Sequence, residues 1–146
     1  MLQQRLTDRL VKYWENLRKE GETPDYALFN KMAIQDIWDG CIVMQAQPVA
    51  AGAAPRFQFR EMGEKTLSLF AQDPTNQYFS VGARVFPAAR IMRRLPEVIA
   101  SPGPLVDEGQ FVTEKSKVVK FRSCLVPFSK EGKITYVVVG LSWREF

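Results

Sequence analysis

Histidine is absent from this chain, and its absence bounds the chemistry before any motif is read. Without imidazole there is no Ser-His or Cys-His pair to activate a nucleophile. The commonest general base near neutral pH is missing too, as are the ring ligands of most zinc and haem sites. Carboxylate, thiol and guanidinium chemistry remain. Asp36 with Asp39, and Asp107 with Glu108, are close enough in sequence to be dyads, but the same spacing belongs to helix caps and turns. A carboxylate base in the hydrophobic pocket of a cone-like α+β fold is the enzyme reading they would support. Neither pair is tied to a pocket by its surroundings, so the expectation is a non-enzyme with no cofactor and no metal. Cys41 and Cys124 have no CxxC spacing and lie in apolar, strand-like contexts, which predicts buried thiols and no disulfide or redox pair. The densest basic run is Arg90-Ile91-Met92-Arg93-Arg94. On a helix it sets Arg90, Arg93 and Arg94 on one side and Ile91, Leu95 and Val98 on the other. That surface suits phosphate, an acidic partner or anionic lipid, or it is a solvated helix face. No aromatic interleaving accompanies it, and the other basic residues are mixed with acids. The formal charge of +4 therefore does not point to nucleic acid.

The 146 residues suit a single globular unit whose core needs no disulfide or structural metal. With 46% hydrophobic and 25% charged residues, the composition is that of an ordinary globular protein. No apolar run reaches membrane-spanning length, and the charged start Gln3-Gln4-Arg5-Leu6-Thr7-Asp8-Arg9 does not resemble a signal peptide, so a reducing, cytoplasmic setting is expected.

The elements that position these groups follow from periodicity. Leu6, Leu10, Trp14 and Leu17 fall at helical spacing and predict an amphipathic helix over residues 3–20, ended by Gly21. With its connector it forms a cap over 1–24, and the main domain occupies 25–146. The stripe either packs on that domain or docks on another subunit or partner. A second helical segment is expected from Asp25, with Ile34, Ile37 and Trp38 as its apolar edge and Asp39-Gly40 as its stop. Cys41 to Gln47 reads as a strand, and Pro48 to Pro55 as a flexible hairpin loop. In Arg56-Phe57-Gln58-Phe59-Arg60 charge and aromatic alternate with period two, which turns the Phe side toward a core. Glu64 to Phe70 is helical, Gln72 to Asn76 a polar turn, and residues 84–100 a longer helix that Pro96 should kink or divide. A strand near Leu105 to Thr113 follows. Last come two β-rich arms, Val118 to Phe128 and Lys133 to Trp143, joined by Ser129-Lys130-Glu131-Gly132, where Gly132 supplies a positive φ. Val137, Val138, Val139 and Leu141 show no polar alternation, so that arm should be covered on both faces.

Strand, strand, helices, then three strands is the order of a PAS fold, and the residues agree. Tyr13-Trp14-Glu15-Asn16-Leu17-Arg18, Phe59-Arg60-Glu61-Met62-Gly63, Leu69-Phe70-Ala71-Gln72-Asp73-Pro74-Thr75-Asn76 and Leu125-Val126-Pro127-Phe128 together resemble the markers of a family of single-domain PAS proteins common in alphaproteobacteria. The likeness runs from about Leu10 to Leu141. It departs at Ala71 and Asn76, where the family usually has glycine, and in the length of the first hairpin loop. The resemblance implies an α+β fold: a five-stranded antiparallel sheet with helices on one face and an N-terminal amphipathic helix. It also implies Asp73 as a turn former.

Such a fold implies sensing or association and no defined reaction. The main expectation is a bacterial signalling module acting through protein contacts, as a homodimer and with an unknown signalling protein. Its association surface would be the Leu6/Leu10/Trp14/Leu17 stripe and the outer sheet face. The alternative is a small-molecule sensor holding an apolar ligand between helices and sheet, walled by Phe57, Phe59, Phe70, Phe86, Ile91, Phe121 and Leu125. The same residues would serve as plain core. No cysteine stands in the short motif that light-sensing PAS relatives carry, so a flavin is not expected.

Overall fold

Val137, Val138 and Val139 are all fully buried, although successive residues of a strand point to opposite faces. Both faces of this strand are therefore covered, and the architecture is built around it. The computed structural model describes residues 5–47, 56–70, 72–79, 90–91, 93–100, 102–112 and 115–145. Their order is α1 (Leu6–Leu17), three short 3₁₀ turns (Tyr26–Leu28, Lys31–Ile34, Trp38–Gly40), β1 (Cys41–Gln47), β2 (Arg56–Met62), α2 (Glu64–Leu67), α3 (Leu95–Ala100), β3 (Leu105–Val112), β4 (Val118–Lys130) and β5 (Lys133–Glu145). The strands form one five-stranded antiparallel sheet in the order β2-β1-β5-β4-β3. This is the PAS-like α+β arrangement expected from the resemblance, with the apolar arm β5 at its centre.

Alternate residues feed two cores. On one face Ile42, Met44, Phe59, Leu125, Val137 and Val139 pack with Ile91, Leu95 and Val98 of the α3 segment. On the other, Cys41, Val43, Val126 and Val138 pack with Leu10, Tyr13 and Trp14 of α1. The helix lies close on the sheet at Gly140, where a Cβ would come within 2.8 Å of Leu6 and 2.9 Å of Leu10. Its position is pinned by the buried Trp14 indole N–H, which donates to the Pro127 carbonyl at 2.6 Å.

Several expectations are revised. α1 stops at Leu17, because Arg18 is already extended (φ −72°, ψ 133°); Gly21, with φ +79°, belongs to the turn beyond. The expected second helix is three separate 3₁₀ turns. Asp25 and Asn30 each accept an N–H two residues on, at 2.8 and 3.0 Å, and these side-chain caps restart the chain twice. The closing hairpin turns on two residues, Glu131 (φ 54°) and Gly132 (φ 79°), so Ser129 and Lys130 belong to β4. Two consecutive positive φ values are the type I′ geometry that matches strand twist. The α2 helix covers only Glu64–Leu67, and α3 begins at Leu95, with Pro96 in its first turn. The Pro48 to Pro55 loop and residues 84–89 of the longer expected helix lie outside the described residues.

Candidate functional site

The candidate pocket residues meet on the α3 face. Phe57, Phe59, Ile91, Phe121 and Leu125 are buried in one cluster. Phe70 is partly buried against it, edge-on to Phe59 with ring centroids 5.4 Å apart. Phe86 lies outside the described residues. The five buried side chains interdigitate with Met44, Val137 and Val139, as a packed core does.

The apolar stripe of α1 turns inward. Leu10 and Trp14 are fully buried and Leu6 and Leu17 partly buried, all against the chain's own sheet. The stripe that could have met a partner is thus the inner face of a cap. Beside it, Tyr26 stacks on Tyr136 at 3.8 Å, and Phe29 packs edge-on to Phe128 at 5.6 Å. Burial pushes the Tyr26 hydroxyl up to about 12, so it stays a neutral member of that aromatic layer.

The two thiols also sit on this face, buried and not joined in a disulfide. Burial pushes Cys124 up to about 12 and raises Cys41 as well. Cys41 donates to the Ile37 carbonyl at 3.4 Å. Protonated, water-excluded thiols are poor nucleophiles, in agreement with the packing role expected of them.

The arginine run meets a counter-ion that sequence spacing could not identify. Asp107, on β3, brings Oδ2 within 3.6 Å of Arg90 and 3.4 Å of Arg94. Arg94 also reaches Glu97 at 3.0 Å, and the Arg90 guanidinium lies over the Phe121 ring at 5.2 Å. Asp107 is thus half of no dyad with Glu108: the two point to opposite faces of β3, and Glu108 pairs with Arg122 at 3.4 Å. Asp36 pairs with Arg9 at 3.4 Å. At Asp73 the turn-forming reading agrees with the geometry: Oδ1 accepts from the Thr75 N–H at 2.9 Å and its hydroxyl at 2.6 Å. These bonds hold the Asp73 carboxyl below the usual carboxylate range.

One feature is invisible along the chain. On the side of the sheet that α1 covers, register gathers distant cations: Lys120 lies opposite Arg144, and Arg122 opposite Ser142. With Arg5, Lys65 and Glu108 they line an open concavity of about 1060 Å³. The described lining residues include five cations and one carboxylate, Glu108. Basic residues that look evenly scattered in sequence are segregated by the sheet.

No protein-family model matches this chain, and no curated protein does. Among solved structures it is similar to the PAS domain of a protein from Colwellia psychrerythraea, with 8% sequence identity, a TM-score of 0.45, and 76% of this chain and 93% of that chain covered. It is also similar to an RNA-binding light-oxygen-voltage receptor, 15% identical at a TM-score of 0.45, covering 86% of this chain and 35% of that one. The chain thus spans about a third of that receptor.

Proposed function

We propose that this chain is a PAS-type signalling or sensory module that performs no catalysis and acts through protein association, with a second copy of itself and with a signalling partner of acidic surface. The observation that carries the reading is the basic concavity on the sheet. Arg5, Lys65, Lys120, Arg122 and Arg144 line one concavity, and a partner surface of acidic side chains is complementary to it. Cations gathered in a concave site also speed encounter with a partner of opposite sign. The expected association surface is therefore kept for the outer sheet face and given up for the α1 stripe, which is internal.

The test is capture from a nuclease-treated lysate with the wild-type chain and with K120E/R144E, both exposed positions. A protein held by the wild type, lost from the variant and weakened by salt on the scale of a ~10 Å Debye length is expected. Identical captures by two equally folded proteins would remove the basic face from the proposal. Native mass spectrometry tests the ligand-sensor alternative: a small molecule that stays bound until denaturation would favour a ligand site between the α3 segment and the sheet.

A further inference from the structure

The two edges of the sheet are not equally protected. β2 carries Arg56 and Arg60, its register with β1 slips at Val43/Met44, and its outer side is already occupied. Phe59 exchanges backbone hydrogen bonds with Gln77 and Asn76 at 2.9 and 2.6 Å, and the Phe79 N–H donates to Phe57 at 2.8 Å. The other edge, β3, carries the acids Asp107 and Glu108 but has neither the slip nor the occupied outer side. It pairs with β4 without a slip over all eight residues, contains no Lys or Pro, and among the described residues no strand lies on its outer side. Two of its valines are strongly exposed, Val106 at 60% and Val112 at 66%. A long, unblocked edge with exposed apolar side chains is a template for another strand.

We infer that β3 pairs antiparallel with β3 of a second copy, about a two-fold axis through Gly109, joining two sheets into one of ten strands. The register follows from side-chain parity and charge. A two-fold axis perpendicular to the sheet keeps each face continuous, so paired positions must have the same parity. Centring on Asp107 or Glu108 sets a carboxylate against its own copy, which disfavours the pair. Centring on Gln110 leaves Val106 beyond the end of the partner strand. Centring on Gly109 sets Glu108 against Gln110 and each Val106 against the other copy's Val112. Both exposed valines are then covered and no acid faces an acid. On the opposite face Arg90, whose Nη1 lies 3.0 Å from where a Gly109 Cβ would stand, is already paired with Asp107, so the charges that meet at the axis are compensated. This inference rests on the self-association part of the proposed function.

The test is sedimentation of the full chain across the micromolar range with V106K, V112E and V106K/V112E. Both positions are exposed, so far-UV circular dichroism and the unfolding midpoint should be unchanged. The wild type is expected to dimerise, and each single variant to raise the dimer dissociation constant by about tenfold or more. The double variant should regain the dimer, because Lys at 106 then faces Glu at 112 of the other copy. A wild type that is monomeric throughout overturns the inference, as does a double variant no stronger than the singles. A dimer indifferent to all three also overturns it while leaving self-association through another surface standing, and the K120E/R144E capture reads the partner reading independently.

Discussion

At the scale of single residues, burial decides what the reactive groups do. Cys124, raised to about 12, and Cys41, raised by the same desolvation, remain protonated in the fold, whereas an exposed thiol titrates near ~8.5. Their contribution to stability is intact below that unfolded value and declines as pH rises toward about 12, since only the unfolded chain releases the proton. Unfolding free energy measured in urea should therefore fall between about pH 8 and about pH 10. At about pH 8 iodoacetamide should label both thiols in denaturant and neither at a comparable rate in the native protein; equal rates would show that the α1 face is open. Trp14 combines full burial with a hydrogen bond to Pro127. Trp14→Ala should cost about 3–5 kcal/mol in a chemical denaturation curve, a large part of the ~5–15 kcal/mol that holds a domain together.

At the scale of elements, turns and tethers carry the testable consequences. The β4–β5 turn holds a non-glycine residue, Glu131, at φ 54°, a region costly for most side chains but tolerated by Asn. Glu131→Asn should stabilise by about 0.5–1 kcal/mol, read from the unfolding midpoint; a fall in stability would mean that the turn is not of this type. Asp107 ties the α3 segment to β3 through two arginines and is only 17% exposed. Asp107→Asn leaves those guanidinium groups facing each other, with an expected loss of about 1–2 kcal/mol after solvent screening, larger at low salt. A loss independent of salt would place its cause elsewhere than in the ion pairs. β1 and β2 are readable in place, because β-branched runs and a period-two alternation are local signals. The three 3₁₀ turns are not: Ile34 and Ile37 have helical spacing, and what breaks the helix is the pair of side-chain caps from Asp25 and Asn30.

At the scale of the whole molecule, the N-terminal cap is part of the core. A chain beginning at Asp25 would leave Val43, Val126 and Val138 without Leu10 and Trp14 over them, and it should lose its cooperative unfolding transition and bind a hydrophobic dye. A sharp transition in that shorter chain would make 25–146 an independent domain. The candidate sites divide along the same line. That Phe57 and Phe59 face a core, that Gly132 takes a positive φ and that β5 is covered on both sides followed from residue type and order, since each depends on neighbours a few positions away. The partner of Arg90 and Arg94, the gathering of Arg5, Lys65, Lys120, Arg122 and Arg144, and the exposure of β3 as an edge did not. Those are set by which strands lie side by side, and strand order is fixed by the joint burial of two apolar faces over the whole chain. By itself, then, the order of residues determined the elements and their inner faces; only the tertiary structure decided which charges meet and which edge stays open, because both arise from contacts between segments far apart in sequence.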